Sequence, residues 1–231
     1  MITVETIRER HSVREYDGKP LARVEFGALG AVVEECTRES GLDIQLVGDN
    51  PEVFNVIARF GLIRGCRTHV AFVVDDGKAC GVAADEAIGY WGQKIVLAAQ
   101  DMGFNTCWCA LCSRKKSCAV VAPGKKIRLI IAVGHGKTQG FSRKTKSVEA
   151  LSSVECAKAP AWFAAAMEAA QLAPTAMNNQ NFKITLLSDG KTVRIDAPQN
   201  GLNVIDEGIV RCNFEIAANE AGADWRWERG I

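Results

Sequence analysis

The 231-residue chain has little histidine, only His11, His69 and His135, and neither a Gly-x-Ser-x-Gly elbow nor a Gly-x-Gly-x-x-Gly turn after a predicted strand. Without the elbow and its partners a histidine-based hydrolytic triad has no support. Without the glycine fingerprint no dedicated Rossmann site for a dinucleotide is expected. Apolar runs stop short of the roughly 18 residues that a membrane helix needs, and Glu5, Arg8, Glu9 and Arg10 replace the apolar core of a signal peptide. Net charge is +1, which gives no electrostatic reason to expect nucleic acid or an anionic membrane as a partner. These absences predict a cytoplasmic protein.

What is present is apolar bulk and sulfur. Apolar residues make up 48% of the chain, enough for one large domain or two closely packed lobes. Nine cysteines, an odd number without an export signal, read as reduced thiols and not as a disulfide framework. Four of them, Cys107, Cys109, Cys112 and Cys118, form a Cys-x-Cys-x2-Cys-x5-Cys run. Thiolates at that density suit zinc or an iron–sulfur cluster, but the spacing is unfamiliar and no second Cys or His pair completes it. The alternative is small buried apolar side chains near a turn.

Periodicity predicts alternating elements. Val24, Ala28, Val32 and Cys36 follow helical spacing, and Leu42 to Val47 alternates as a strand. A helix is expected from Pro51 to Leu62, a buried strand from His69 to Val74, and a long helix over 84–102 closed by Gly103. Ile127 to Val133 reads as another buried strand, and the basic stretch 134–154 as a clasp carrying Lys137, Arg143, Lys144 and Lys146. A helix over about 160–172, a hairpin over 182–197 turning at Asp189-Gly190, a helix over about 204–221 and a short terminal strand complete the order.

A weak internal repeat runs through that order. Asp85-Glu86-Ala87-Ile88 resembles Asp206-Glu207-Gly208-Ile209, and Leu97-Ala98-Ala99 resembles Ile216-Ala217-Ala218. Both helices end at a glycine, Gly103 or Gly222, with Trp108 or Trp227 five residues on. Two similar halves are expected, 1–150 and 151–231.

Chemistry concentrates at two places. In Ala173-Pro174-Thr175-Ala176-Met177-Asn178-Asn179-Gln180-Asn181 an Ala-rich helix stops abruptly, since Pro174 offers no N–H and its predecessor avoids the helical region. Asn178 and Gln180 then present amides that suit the edge of a heterocycle. Near the N-terminus Arg10, Ser12 and Arg14 stand at i, i+2 and i+4, which on an extended segment places them on one face, the outer two roughly 13 Å apart. Two guanidinium forks and a hydroxyl suit a phosphate at one end and a ring at the other; a solvated basic loop is the plainer alternative.

Together these residues resemble the FMN-dependent nitroreductase family. Its Arg-x-Ser-x-Arg/Lys triplet is matched by Arg10-His11-Ser12-Val13-Arg14, and its Ala-Pro-Ser-x-x-Asn-x-Gln-Pro loop by Ala173 to Asn181, with Thr175 for Ser and Asn181 for the last Pro. A looser match is the long helix running into Met102-Gly103-Phe104-Asn105-Thr106-Cys107-Trp108. The resemblance implies an α+β fold with mixed, mostly antiparallel sheets and packed helices. It further implies FMN as cofactor, NADH or NADPH as hydride donor, and a nitroaromatic, quinone or similar acceptor reduced in a ping-pong cycle. Arg10, His11 and Ser12 would then hold the phosphate with Arg143 or Lys144, and Arg14 would lie at the pyrimidine edge, where a cation stabilises negative charge. Thr175, Ala176, Asn178 and Gln180 would contact the flavin from the other side, and backbone around Trp108, Ala110 and Leu111 would approach N5. No side-chain general base and no metal is implied, because the flavin carries the redox chemistry.

The chain departs from the family pattern in one respect. The Ala-Pro-Ser motif ordinarily follows the arginine triplet by a few dozen residues, yet Glu35 to Gly41 lacks it and it stands some 160 residues later. That arrangement resembles a branch in which one chain supplies both halves of an interface, giving a monomeric pseudo-dimer; a swapped homodimer is the other assembly. Two other classes remain open at this level, a flavin- or ligand-binding module without turnover and a Cys-ligated metal or iron–sulfur protein.

Overall fold

A computed structural model describes residues 2–54, 63–77, 81–110, 112–155 and 158–229. The chain divides into two compact units, neither of them continuous in sequence: Arg10–Cys80 with Lys94–Ser142, and Met1–Glu9 with Gly81–Gln93 and Arg143–Ile231. Helices and mostly antiparallel sheets make the fold α+β.

The first unit is built on a four-stranded antiparallel sheet of order β1-β2-β4-β3. Its strands are β1 (Asp43–Val47), β2 (Thr68–Asp75), β3 (Asn105–Cys109) and β4 (Lys125–Gly134). The central pair carries Val70-Ala71-Phe72-Val73-Val74 and Leu129-Ile130-Ile131-Ala132-Val133, buried throughout. Unbroken apolar runs leave no face for water, so both sides of these strands are covered. Helix α2 (Arg23–Ser40) ends where Gly41 turns left-handed (φ 69°) and donates its N–H to the Thr37 carbonyl at 3.0 Å.

Two expectations need correction here. The buried stripe of α2 is Leu29, Val33 and Cys36; Val24, expected inside, is 83% exposed. Both stripes share Cys36, and burying Leu29 with Val33 removes more apolar surface than burying Val24 with Ala28. The segment Asn105–Cys109, to which periodicity assigns no element, is an edge strand pairing Cys107 with Ala132 and Cys109 with Ile130. Of the helix expected from Pro51 to Leu62, Pro51–Phe54 is a single 3-10 turn, and residues 55–62 lie outside the described residues.

The second unit combines α1 (Val4–Glu9), the first part of α3 (Val82–Asp101), α4 (Val148–Leu151), α5 (Ala161–Gln171) and α6 (Asn203–Glu220) with a three-stranded sheet. In that sheet β5 (Lys183–Leu186) and β6 (Thr192–Asp196) form an antiparallel hairpin, and β7 (Arg226–Trp227) lies parallel to β6. The hairpin turns at Asp189-Gly190 as expected, with Gly190 at φ 70°. Asp189 fixes the turn by accepting from the backbone N–H of Lys191 and Thr192 at 3.0 and 2.8 Å and from the Thr192 hydroxyl at 2.6 Å. Trp162, Phe163, Phe214, Trp225 and Trp227 pack ring on ring beside it.

Helices α3 and α6 cross backbone to backbone. A Cβ on Gly89 would stand 2.0 Å from the Ile205 carbonyl oxygen and 3.0 Å from the Ile209 nitrogen. A Cβ on Gly208 would stand 2.0 Å from the Glu86 carbonyl oxygen and 2.7 Å from the Tyr90 nitrogen. The contact is therefore reciprocal, matching Glu86 to Ile205, Gly89 to Gly208 and Tyr90 to Ile209. The same offset carries Leu97 to Ile216, Gly103 to Gly222 and Trp108 to Trp227. Asp85 matched to Asp206 is two residues out of this register, because acidic residues near two helix starts resemble each other without sharing a packing position.

Beside the crossing lies a buried charge cluster. Arg211 Nε stands 3.0 Å from Glu86 Oε1 and 3.6 Å from Glu207 Oε1, with all three side chains at most 2% exposed. Arg229 reaches Glu86 at 3.0 Å and Glu207 at 2.9 Å, and Gln199 donates to Glu207 at 2.7 Å. Arg211 also lies 4.7 Å over the Trp227 ring and donates to the Arg229 carbonyl at 2.8 Å.

Candidate functional site

The amide-rich loop lies in the second unit, between α5 and β5. Its backbone is strained: Met177, Asn178 and Gln180 sit at φ 54°, 57° and 46°. Left-handed backbone costs a residue with a Cβ about 1–2 kcal/mol, so such a loop persists only where its surroundings hold it. Several bonds do so. The Ala176 N–H donates to both carboxylate oxygens of Asp206 at 2.9 Å, and the Gln180 N–H donates to the Thr175 hydroxyl at 3.0 Å. Gln180 accepts from the Lys146 N–H at 2.7 Å and donates to the Gln171 carbonyl at 3.0 Å, while the Lys146 ammonium donates to the Gln180 carbonyl at 3.0 Å. Asn178 Nδ2 donates to the Lys144 carbonyl at 2.8 Å.

These bonds sort the expected site residues. Gln180 is 2% exposed with both ends of its amide engaged by backbone, so it braces the loop instead of presenting an edge to a ligand. Thr175, Ala176 and Asn178 are half-buried. Among the described residues no partner takes the Thr175 hydroxyl proton or donates to Asn178 Oδ1, which leaves one donor and one acceptor for a bound group. Arg143 and Lys144, in the same unit, have exposed side chains.

Asp206, which is outside the set of expected site residues, supports the loop from α6. With Asn203 it suggests a helix cap, yet the cap position of α6 is Leu202 and the Asp206 carboxylate serves the loop instead. An acid set among Val204, Ile205, Ile209 and Val210 was the available signal. Burial pushes its carboxyl from the ordinary 3.8 up to about 7, against the opposing pull of the Ala176 N–H. The native state thus binds a proton that the unfolded chain has already released, so this group's contribution to stability is full below 3.8 and is lost as pH rises to about 7. Asp206→Asn keeps an acceptor for Ala176 and removes the titration. Its melting temperature is expected to lose the decline that the parent shows across that window, as thermal scans at several pH values would show.

In the first unit the arginine segment is extended and is stitched on both sides. Val13 donates to the Thr106 carbonyl at 3.0 Å, Tyr16 to Arg64 at 2.8 Å and Arg64 to Arg14 at 2.8 Å. The Lys137 N–H donates to the Glu15 carbonyl at 2.9 Å. Val13 and Tyr16 point into the core, and Arg10 is only 8% exposed. His11 Nε2 and the Ser142 hydroxyl are 3.2 Å apart, and Gly140 comes so close that a Cβ there would lie 2.7 Å from His11 Cβ. Ser12 and Arg14 are half-buried, and among the described residues neither the Ser12 hydroxyl nor the Arg14 guanidinium makes a hydrogen bond or ion pair. A hydroxyl and a guanidinium on a pinned strand fit an anionic, oxygen-rich ligand, and the Thr175–Asn178 pair fits a heterocycle edge. The donor chemistry therefore fits FMN.

Trp108 stacks on Phe72, with centroids 6.3 Å apart and planes 12° apart, and Ala110 follows it half-buried; Leu111 lies outside the described residues. Of the cysteine run, Cys107 is buried in the core, Cys109 and Cys112 pack against that core, and Cys118 is exposed. Among the described residues no group of three or more His, Cys, Asp or Glu side chains is arranged to hold a metal ion. No helix there is long and apolar enough to cross a membrane.

Comparison with known proteins places this geometry. The chain is similar in fold to a structure titled as a putative nitroreductase from Thermotoga maritima, with 20% identity and a TM-score of 0.66 over 100% of this chain and 91% of that one. A putative nitroreductase in complex with FMN from Desulfovibrio desulfuricans is 18% identical, with a TM-score of 0.50 over 66% of this chain and 95% of its own. A putative NADH dehydrogenase/NAD(P)H nitroreductase from Parabacteroides distasonis is 19% identical with the same TM-score and coverage, 0.50 over 66% and 95%. No curated protein matches the sequence. The sequence profile described as "Putative TM nitroreductase" matches residues 2–218, nearly the whole chain, and the protein belongs to that nitroreductase family.

Proposed function

We propose that the chain is an FMN-dependent oxidoreductase that takes hydride from NADH or NADPH and delivers electrons to a nitroaromatic, quinone or similar small acceptor in two half-reactions. The observation that carries this reading is the presence, in one nitroreductase-family chain, of the donors Ser12 and Arg14, without a partner among the described residues, and of a strained, many-times-braced amide loop. When bound, FMN would supply the two-electron chemistry. This chain's own residues bind and orient it: Arg10, His11, Ser12 and Arg143 on the phosphate, Arg14 at the pyrimidine edge, Thr175, Ala176 and Asn178 on the ring, and backbone at Trp108 and Ala110 beside it. Asp206 and Gln180 hold the loop in shape. Assigning both sets of residues to one flavin follows the family resemblance of their motifs.

The reading includes a single chain that does the work of two subunits, with similar halves on either side of about residue 150. Two observations support this part of the reading: the smaller neighbours, which align over 95% of their own length, match only 66% of this chain, and α3 and α6 pack reciprocally at Gly89 and Gly208. Such a particle would bind one FMN per monomer.

Reconstitution tests the proposal. Protein with added FMN should turn yellow at one flavin per chain at monomeric solution mass, and NADH or NADPH should bleach it in stopped flow. Arg14→Ala should weaken FMN binding about tenfold to a hundredfold, the loss expected of one hydrogen bond to a charged group at about 1.5–3 kcal/mol. Failure to take up FMN sinks the assignment; uptake without bleaching by either nucleotide would make the protein a flavin-binding module.

A further inference from the structure

The cysteine run has no part in the function proposed above, yet its middle pair is arranged for chemistry of its own. Cys109 ends β3, and the Cys112 thiol donates to the Cys109 carbonyl at 3.3 Å. Both residues are half-buried, pack against the edge of the core and remain open to small reagents. The residues that follow Cys112 are held from both directions. The Ser113 N–H donates to the Val53 carbonyl at 2.8 Å, and Arg114 donates to the Arg128 carbonyl at 2.8 Å, which keeps its guanidinium beside Cys112. A thiol held 3.3 Å from the carbonyl of a second cysteine three positions back, with both side chains packed on the same core edge, brings the two residues near each other, and a disulfide needs such nearness.

We propose that Cys109 and Cys112 form a redox-active dithiol that closes to an intramolecular disulfide when it meets a small-molecule disulfide. Cys112 is the attacking sulfur: its thiolate breaks the S–S bond of the reagent, forms a mixed disulfide and releases one thiolate, which takes up a proton. The Cys109 thiol then gives its proton to solvent and attacks the Cys112 sulfur, expelling the second thiolate. Two protein thiols are oxidised and one small disulfide is reduced to two thiols. Contact with the Cys109 side chain and the Arg114 charge hold the Cys112 thiol below its ordinary range, whereas burial pushes Cys36 and Cys66 up to about 11 and about 12. The buried thiols are therefore poor competitors for the same reagent. Closure would tie the end of β3 to the 3-10 turn at Arg114–Lys116, so oxidation state sets the stiffness of that corner.

The experiment is equilibration of the full chain in glutathione buffers of graded potential, followed by acid quench, alkylation and mass mapping. Oxidising buffer should remove two hydrogens from the segment containing Cys109 and Cys112, and reducing buffer should restore them. Cys109→Ser should stop at a glutathione adduct on Cys112, and Cys112→Ser should slow reaction at Cys109 tenfold or more. Cys112 staying alkylatable in oxidising buffer, pairing instead with Cys107 or Cys118, or equal reactivity of Cys109 in the Cys112→Ser variant would each overturn the proposal. None of these readouts depends on flavin binding.

Discussion

Arg211→Met should lower stability by about 3–5 kcal/mol, the cost of leaving buried carboxylates without the cation buried beside them. In a chain of 231 residues that corresponds to a fall in melting temperature of roughly 6–20 °C. Burial already holds the Glu86 carboxyl above its usual range, because desolvation outweighs the attraction of Arg211 and Arg229. Removing Arg211 strips the larger of the two attractions and leaves Glu207 a second, like charge in the same dry space. The Trp227 face loses its cation and the Arg229 carbonyl its donor in the same step. Replacing Glu86 by Gln together with Arg211→Met should cost less than the two single changes combined, with a coupling of about 1–3 kcal/mol in a double-mutant cycle. Chemical denaturation of the four proteins measures it; strict additivity would mean that the cluster is not electrostatically coupled.

Gly208→Ala should destabilise by about 3 kcal/mol or more, at the upper end of overpacking costs. The added methyl would meet the Glu86 carbonyl oxygen at 2.0 Å and the Tyr90 nitrogen at 2.7 Å, and both are backbone atoms that cannot swing aside as a side chain would. Relief requires the two helices to part, which disturbs the charge cluster beside them. Gly27→Ala is the internal control: it stands in α2 with nothing within 4 Å of its would-be Cβ, so the change should gain about 0.5–1 kcal/mol from helix propensity. Opposite signs from one substitution type separate close approach from backbone entropy, and denaturant midpoints at constant slope would report both.

Legibility of the fold in the sequence followed the strength of the local signal. The runs around Phe72 and Ile130 are too apolar to be anything but buried strands, and α3, α6 and the Asp189-Gly190 hairpin carry periodicity and turn chemistry together. The face of α2 was less clear because two apolar stripes converge on Cys36, and only the neighbouring sheet chooses between them. Strand β3 is an edge element in Asn-Thr-Cys-Trp-Cys, a sequence without alternation, formed because β4 offers an unpaired side. At the site, the motifs around Ser12 and Asn178 were visible as residue types in a spacing. The support behind them was not: Asp206 is 30 residues from the Ala176 N–H it receives, and Lys146 is 34 from Gln180, distances over which no local pattern speaks.

The crossing of α3 and α6 also bears on how this chain can change. At the axis of a symmetric dimer one codon places the same residue on both sides, so every substitution is felt twice and a compensating partner cannot be introduced alone. Here Gly89 and Gly208 are encoded separately. Each side of the contact can be altered by itself, the two effects can be compared within a single molecule, and asymmetric pairs that no homodimer could sample become available to selection and to the protein engineer.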